Sequence, residues 1–318
     1  MITKILKQVW NQRRTNGWIF LEVIIAGFFL WTVIDPVYVL MVNSLEDKGY
    51  EEDGRYILNL GAYGSNHGKR DTTITNDMRK EAFLRISQLV REQPEVDASY
   101  ISLHSSLPNA SSWSGNQFFP DTLSAKEGKY THTQHYVYLR EAKSDIFRTL
   151  GIKDALTDKE MIVSEDKMMN YFMFVSEHFA KKMFGTIQVV GRKVYTDPTY
   201  SMEIGGVFKD IKTRDYHASY PLTISMNRNF QMHDFAHKNH FIVFRLKEGV
   251  NFDKFNERFK KEVAPHMSQG NFYFDNIQPL AEKRQELGTM TGAYNKLRLK
   301  GSLAAFTLLC IFLGMVGT

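Results

Sequence analysis

The sequence predicts an α+β domain, two strand–helix–strand units with an inserted strand-rich subdomain, flanked by transmembrane helices. Three observations carry that expectation. A long apolar run lies near each end, a strand–helix–strand pattern occurs twice, and alternating segments fill the interval between the two occurrences. The bulk averages hide this organisation: 318 residues, 43% hydrophobic and 24% charged, describe an ordinary globular chain. They exclude wholesale disorder, collagen-like repeats and a polytopic bundle within these residues. The single cysteine, Cys310, excludes a disulfide scaffold and any multi-cysteine zinc or iron–sulfur site.

The first apolar run, residues 18–34, carries one charge. Its helical length is about 26 Å, a little short of the hydrocarbon core. Val37–Val42 extends it past Asp35-Pro36, so a transmembrane helix is expected over 17–42, with Pro36 kinking its outer end. Trp18 and Trp31 fall where interfacial aromatics belong. A signal peptide would need a small-x-small cleavage site, which Asp35-Pro36-Val37-Tyr38 does not supply. Residues 1–16 form a basic tail with Lys4, Lys7, Arg13, Arg14 and no acid, whereas Glu46, Asp47, Glu51, Glu52 and Asp53 follow the helix. The positive-inside rule puts the tail in the cytoplasm and residues 43–299 outside the membrane. Ile2, Ile5, Leu6 and Val9 recur at helical spacing, so the tail reads either as an interfacial amphipathic helix or as a solvated basic segment. Glu22 stands within the apolar run, where a charge either contacts another membrane helix or reaches the headgroups.

Residues 302–318 are an uncharged apolar run, and 300–318 is expected to be the truncated start of a second transmembrane helix. Lys296, Arg298 and Lys300 then sit outside, against the charge rule, which long translocated segments override. The charge of +5 is unevenly spread. Setting aside the tail (+4), Glu22 and Asp35 (−2) and Lys300 (+1) leaves +2 for residues 44–299, so nucleic-acid binding loses its electrostatic basis.

Within the exported segment, Gly54–Leu60 predicts a strand. Asn76 predicts the cap of a helix to about Arg91 with Met78, Phe83, Ile86 and Val90 on one face, and Ala98–Leu103 the next strand. The order repeats with Phe241–Leu246, a helix from Phe252 to Val263 bearing Phe255 and Phe259, and Asn271–Ile277. The insertion, about 106–220, opens with a Ser-, Asn- and Gly-rich stretch to 128 that reads as a loop. Strands follow at Tyr130–Leu139, Gln188–Tyr195 and Ser201–Phe208, with a turn at Asp197-Pro198. Ser176 caps a short helix, Glu177–Phe184, ended by Gly185.

Two motifs invite a catalytic reading. Gly61, Gly64 and Gly68-Lys69 miss the phosphate-loop spacing, and Arg70 replaces the hydroxyl residue that Mg²⁺ requires, so a turn or loop is expected there. His233, His237 and His240 offer i, i+4 imidazoles, but Asp234 replaces the glutamate base of the zinc proteases. These three are the only metal-ligand candidates, and solvated loop histidines are the plainer reading. No spacing supplies a nucleophile, base and orienter, so no catalytic or cofactor-binding residue is assigned.

Three segments carry a family resemblance: Val175-Ser-Glu-His-Phe-Ala-Lys-Lys-Met-Phe-Gly185, Gly191-Arg-Lys-Val194 and Ile204-Gly-Gly-Val-Phe-Lys-Asp210. Phe241–Gly249 and Asn276-Ile-Gln-Pro-Leu280 add to it. Together they resemble the permease subunits of macrolide-exporter and lipoprotein-release ABC transporters, the MacB/FtsX-like superfamily. The resemblance implies a MacB-like periplasmic core domain at 43–299 and an inner-membrane location in a bacterium. It implies a homo- or heterodimeric permease partner in the lipid bilayer. A separate ABC ATP-binding subunit would use ATP and Mg²⁺, leaving this chain without cofactor or enzymatic activity. The competing reading from topology alone is a two-helix membrane sensor with an extracytoplasmic sensing domain. A membrane-anchored hydrolase, resting on the histidines, is the third.

Overall fold

The computed structural model describes residues 45–292, apart from 65, 111–113, 140, 142, 216 and 228–239, together with scattered helical positions between 24 and 43 and between 295 and 309. The chain divides into two compact units. One is Asp47–Thr291; the other comprises the terminal segments Met1–Glu46 and Gly292–Thr318. At described helical positions of the terminal unit, Phe28, Trp31, Tyr38 and Met41 are exposed, as are Leu303 and Phe306. Among the described residues no helix is long and apolar enough to cross a membrane. The two expected spans fall largely on residues outside that description, as does Glu22.

The Asp47–Thr291 unit begins with β1 (Arg55–Ala62), α1 (Asn76–Arg91), β2 (Val96–Leu103), β3 (Gly115–Phe118), α2 (Thr122–Glu127) and β4 (Thr131–Leu139). It continues with α3 (Ile146–Leu150), α4 (Glu165–Met169), β5 (Phe172–Ser176), α5 (Glu177–Phe184), β6 (Lys193–Tyr195) and β7 (Ser201–Phe208). β8 (Leu222–Asn227), β9 (His240–Leu246), α6 (Phe252–Glu262), β10 (Phe272–Pro279) and α7 (Leu280–Met290) complete it. One sheet joins the strands in the order β10-β1-β9-β2-β4-β8-β5-β7-β6, with β3 paired to β4.

The first four strands of that order are the two strand–helix–strand units, all neighbours antiparallel. β1 is central, with Ile57 opposite Val243 of β9 and Gln278 of β10. Helices α1 and α6 lie on one face because their apolar residues fall at helical spacing. Phe83, Ile86 and Val90 of α1 and Phe255 and Phe259 of α6 pack with Leu58, Ile101, Ile242 and Phe244. Each fully buried phenylalanine there contributes about 2 kcal/mol. The insertion adds the rest of the sheet. β4 and β8 pair in parallel, as do β5 and β7. β2 meets β4 through the pair Ser102 and Tyr138, a narrow seam between the two halves.

Three local expectations are corrected. Thr75, not Asn76, caps α1 by accepting from Met78 N, and Met78 is exposed while Ala82 takes the buried position. The strand expected over Gln188–Tyr195 is only Lys193–Tyr195. Gly191 at φ +84° and the Arg192 N–Val189 O bond turn the chain first. The stretch 106–128 is more than a loop. It holds β3 and α2, the latter capped by Asp121 and ended by left-handed Gly128. Gly61 belongs to β1, where an added Cβ would fall 2.1 Å from the Tyr273 ring, so packing rather than phosphate accounts for it.

Candidate functional site

The incoming segment of the domain, Lys48–Glu52, is stitched to the insertion before β1 begins. Lys212 N donates to Lys48 O at 2.8 Å, and Glu51 N donates to Leu150 O at 2.8 Å. Gly49 takes φ +71°, and a Cβ there would fall 2.0 Å from Asp210 O. That close approach requires glycine.

The outgoing helix α7 reaches the same place. Leu280 and Leu287 are buried, and Arg284 lies between them, four residues after Leu280 and three before Leu287, on the same stripe. Arg284 ion-pairs with Asp215 through Nη1, and its Nε lies 2.5 Å from Glu52 Oε1, an ion pair without hydrogen-bond geometry. Glu52 also pairs with Lys48 at 2.7 Å and accepts from Tyr50 Oη at 3.2 Å. Asp215 accepts from Asn109 Nδ2 at 2.8 Å, while its backbone N donates to Asn109 Oδ1 at 3.0 Å. The side chains of Glu52, Arg284 and Asp215 are 8%, 11% and 15% exposed.

The half-exposed Lys48 and the buried Arg284, Glu52 and Asp215 balance one another in charge, which is the condition for burying the last three. Burial, and next the Glu52 carboxylate, raises the Tyr50 hydroxyl well above its usual pKa, so Tyr50 stays a neutral donor. Burial works against the Arg284 charge, yet the Asp215 and Glu52 carboxylates outweigh it and hold the guanidinium protonated. The junction contains no nucleophile and base in contact. What it does is fasten both chain ends of the domain to each other and to the insertion.

The resemblance segments form a second element of the same design. Ser176 caps α5 by accepting from Phe179 N, and its Oγ also accepts from Leu222 N at 3.1 Å. Phe179 and Ala180 are buried, and Gly185 ends the helix at φ +71°. Asp210, the last residue of the third segment, accepts from His178 N at 2.8 Å. Asp210 O is also the atom against which Gly49 packs. These segments are thus a set of caps and close contacts that positions the insertion against the incoming segment.

Of the metal candidates, His240 lies in β9, 7% exposed, its ring 6.1 Å from Phe83. His233 and His237 lie outside the described residues. Among the described residues no group of three or more His, Cys, Asp or Glu could hold a metal. The Arg284 junction was not singled out from the sequence, although its signal is there: a charged residue on an otherwise apolar helical stripe.

No family model matches the chain, and no curated protein matches it. Solved structures do resemble it. A domain of a permease protein from Porphyromonas gingivalis is 14% identical, with TM-score 0.43, covering 72% of this chain and 91% of that one. The periplasmic region of MacB from Actinobacillus actinomycetemcomitans is 13% identical, with TM-score 0.43, covering 77% and 97%. The extracellular domain of the noncanonic ABC-type transporter YknZ from Gram-positive bacteria is 12% identical, with TM-score 0.38, covering 69% and 100%. A MacB periplasmic region, the kind of domain the sequence resembles, is one of these structures.

Proposed function

We propose that this chain is a permease subunit of an ABC transporter. Its domain lies outside a bacterial inner membrane and is moved when a separate subunit hydrolyses ATP, for efflux or release of a substrate. The observation that carries the reading is the Arg284 junction, in which the segment entering the domain and the helix leaving it are ion-paired within one cluster. A displacement delivered by either flanking segment is then shared by both ends and by the insertion. The sequence segments around α5 and the apolar runs beside the domain support the same reading. The lipid bilayer and a second permease chain complete the assembly proposed.

The test is to purify the tagged full chain from its native membrane and identify what accompanies it. An ATP-binding-cassette subunit is expected in stoichiometric amount, with crosslinks from residues 1–16 to that subunit that change between ATP and ADP. Recovery of a kinase or receptor-type signalling partner instead would establish the sensor reading and remove this one.

A further inference from the structure

A cleft of about 340 Å³ opens between the C-terminal end of α1, the start of β2 and the helices α3 and α4. Ala98, Ser99, Ser144 and Met168 line it and are buried. Ser144 is 4% exposed, and its Oγ has no hydrogen-bond partner among the described residues. Buried hydroxyls are ordinarily satisfied, so one without a partner in the wall of a cleft has hydrogen-bonding capacity to offer what fills it. Lys143, beside it, holds φ +61°, a left-handed conformation unusual for a non-glycine residue and one that gathers at binding sites.

The charges around the cleft are mixed, and some are already committed. Arg148 pairs with Asp97 at 2.6 Å, and Arg91 pairs with Glu141. Three charged groups remain for a ligand. Lys143 Nζ has no ion pair among the described residues. Among the described residues Glu165 accepts only from the backbone N of Lys143 at 3.2 Å, and Asp145 caps α3 by accepting from the backbone N of Arg148 at 3.0 Å. A lone anion in the cleft would face Asp145 and Glu165, and a lone cation would face Lys143. A molecule carrying both charges meets both. Val163 and Met168 supply an apolar wall, and the volume lies at the small end of the range for ligand sites.

We propose that this cleft binds a small zwitterion of aliphatic amino-acid type, with its carboxylate on Lys143 Nζ and Ser144 Oγ and its ammonium on Glu165 and Asp145. Burial raises the Asp145 carboxyl above its usual pKa, a change that a bound ammonium offsets. Such a ligand bridges the α1–β2 unit to the insertion beside the narrow β2–β4 seam. The site requires only the fold, so its failure leaves the transport reading standing.

Isothermal titration of the full chain in detergent micelles, without any ATPase, uses L-leucine, N-acetyl-L-leucine and L-leucinamide. L-leucine is expected to bind saturably. The two analogues, each lacking one charge, are expected to bind at least about tenfold more weakly. Glu165→Gln weakens L-leucine about tenfold. Ser144→Ala weakens it too while leaving the unliganded chain as stable or more so, because the hydroxyl removed has no partner to lose. Absence of saturable heat with L-leucine up to about 10 mM, or equal binding of all three compounds, overturns the proposal.

Discussion

His135 of β4 is buried between two hydroxyls, with Nδ1 2.7 Å from Thr223 Oγ1 and Nε2 3.1 Å from Ser225 Oγ. Burial lowers its pKa from 6.5 to about 4, so the folded chain holds it neutral. An unfolded chain protonates the same imidazole as the pH falls through 6.5. The unfolded state then binds the extra proton, and stability is lost from about pH 6.5 downward until the folded pKa near 4 is reached. A tenfold difference in proton affinity between the two states is worth about 1.4 kcal/mol, so the loss attributable to His135 is about 2 kcal/mol at pH 5 and about 3 kcal/mol at pH 4. Burial raises the carboxyls of Glu141 and Asp145, and these act in the opposite sense, favouring the fold as pH falls. The comparison that isolates the imidazole is therefore wild type against His135→Gln, by urea unfolding of the full chain in detergent at pH 7, 5 and 4. The wild type is expected to lose about 3 kcal/mol more than the variant between pH 7 and pH 4. Parallel pH profiles for the two proteins would refute the reasoning.

Three further outcomes follow from the junction and its supports. Arg284→Gln leaves Glu52 and Asp215 buried beside each other without their guanidinium and is expected to cost about 3 kcal/mol, read from the urea midpoint. Hydrogen exchange should rise together in 47–52 and α7 of that variant; a rise in α7 alone would deny the coupling. Gly49→Ala combines a left-handed backbone with a Cβ 2.0 Å from Asp210 O, so it should destabilise by about 3 kcal/mol or fail to fold. Ser176→Ala removes the α5 cap and the acceptor of Leu222 N. A loss of about 2 kcal/mol in thermal unfolding is expected.

Elements whose signals are local were legible in the chain. Helix α5 can be read outright, because Ser176, the buried pair Phe179 and Ala180, and Gly185 spell cap, face and stop in one short stretch. The two strand–helix–strand units were legible for a similar reason: α1 and α6 show their apolar stripes at helical spacing, and tertiary packing did not override them. The Gln188–Tyr195 strand was misread because alternation says nothing about a left-handed turn at Gly191 that the Ile204 carbonyl holds in place. β3 and α2 were missed because a short strand and a six-residue helix leave too few residues for a period to show. Nothing in the described residues brings His240 to a metal site; it is a core histidine at the start of β9.

By itself the sequence determined the two apolar runs, the repeated strand–helix–strand order and the capped helix around which the family resemblance clusters. Each is written in residues close together in the chain, where backbone preference and side-chain periodicity act directly. Only the tertiary structure decided that Glu52, Asn109, Asp215 and Arg284 meet, and that Lys143, Ser144 and Glu165 face one cleft. Those groups are far apart along the chain or sit on unremarkable loops. For Glu52, Asp215 and Arg284 the pairing is set by which elements neighbour one another, and burial makes an unpaired charge among them too costly to leave alone.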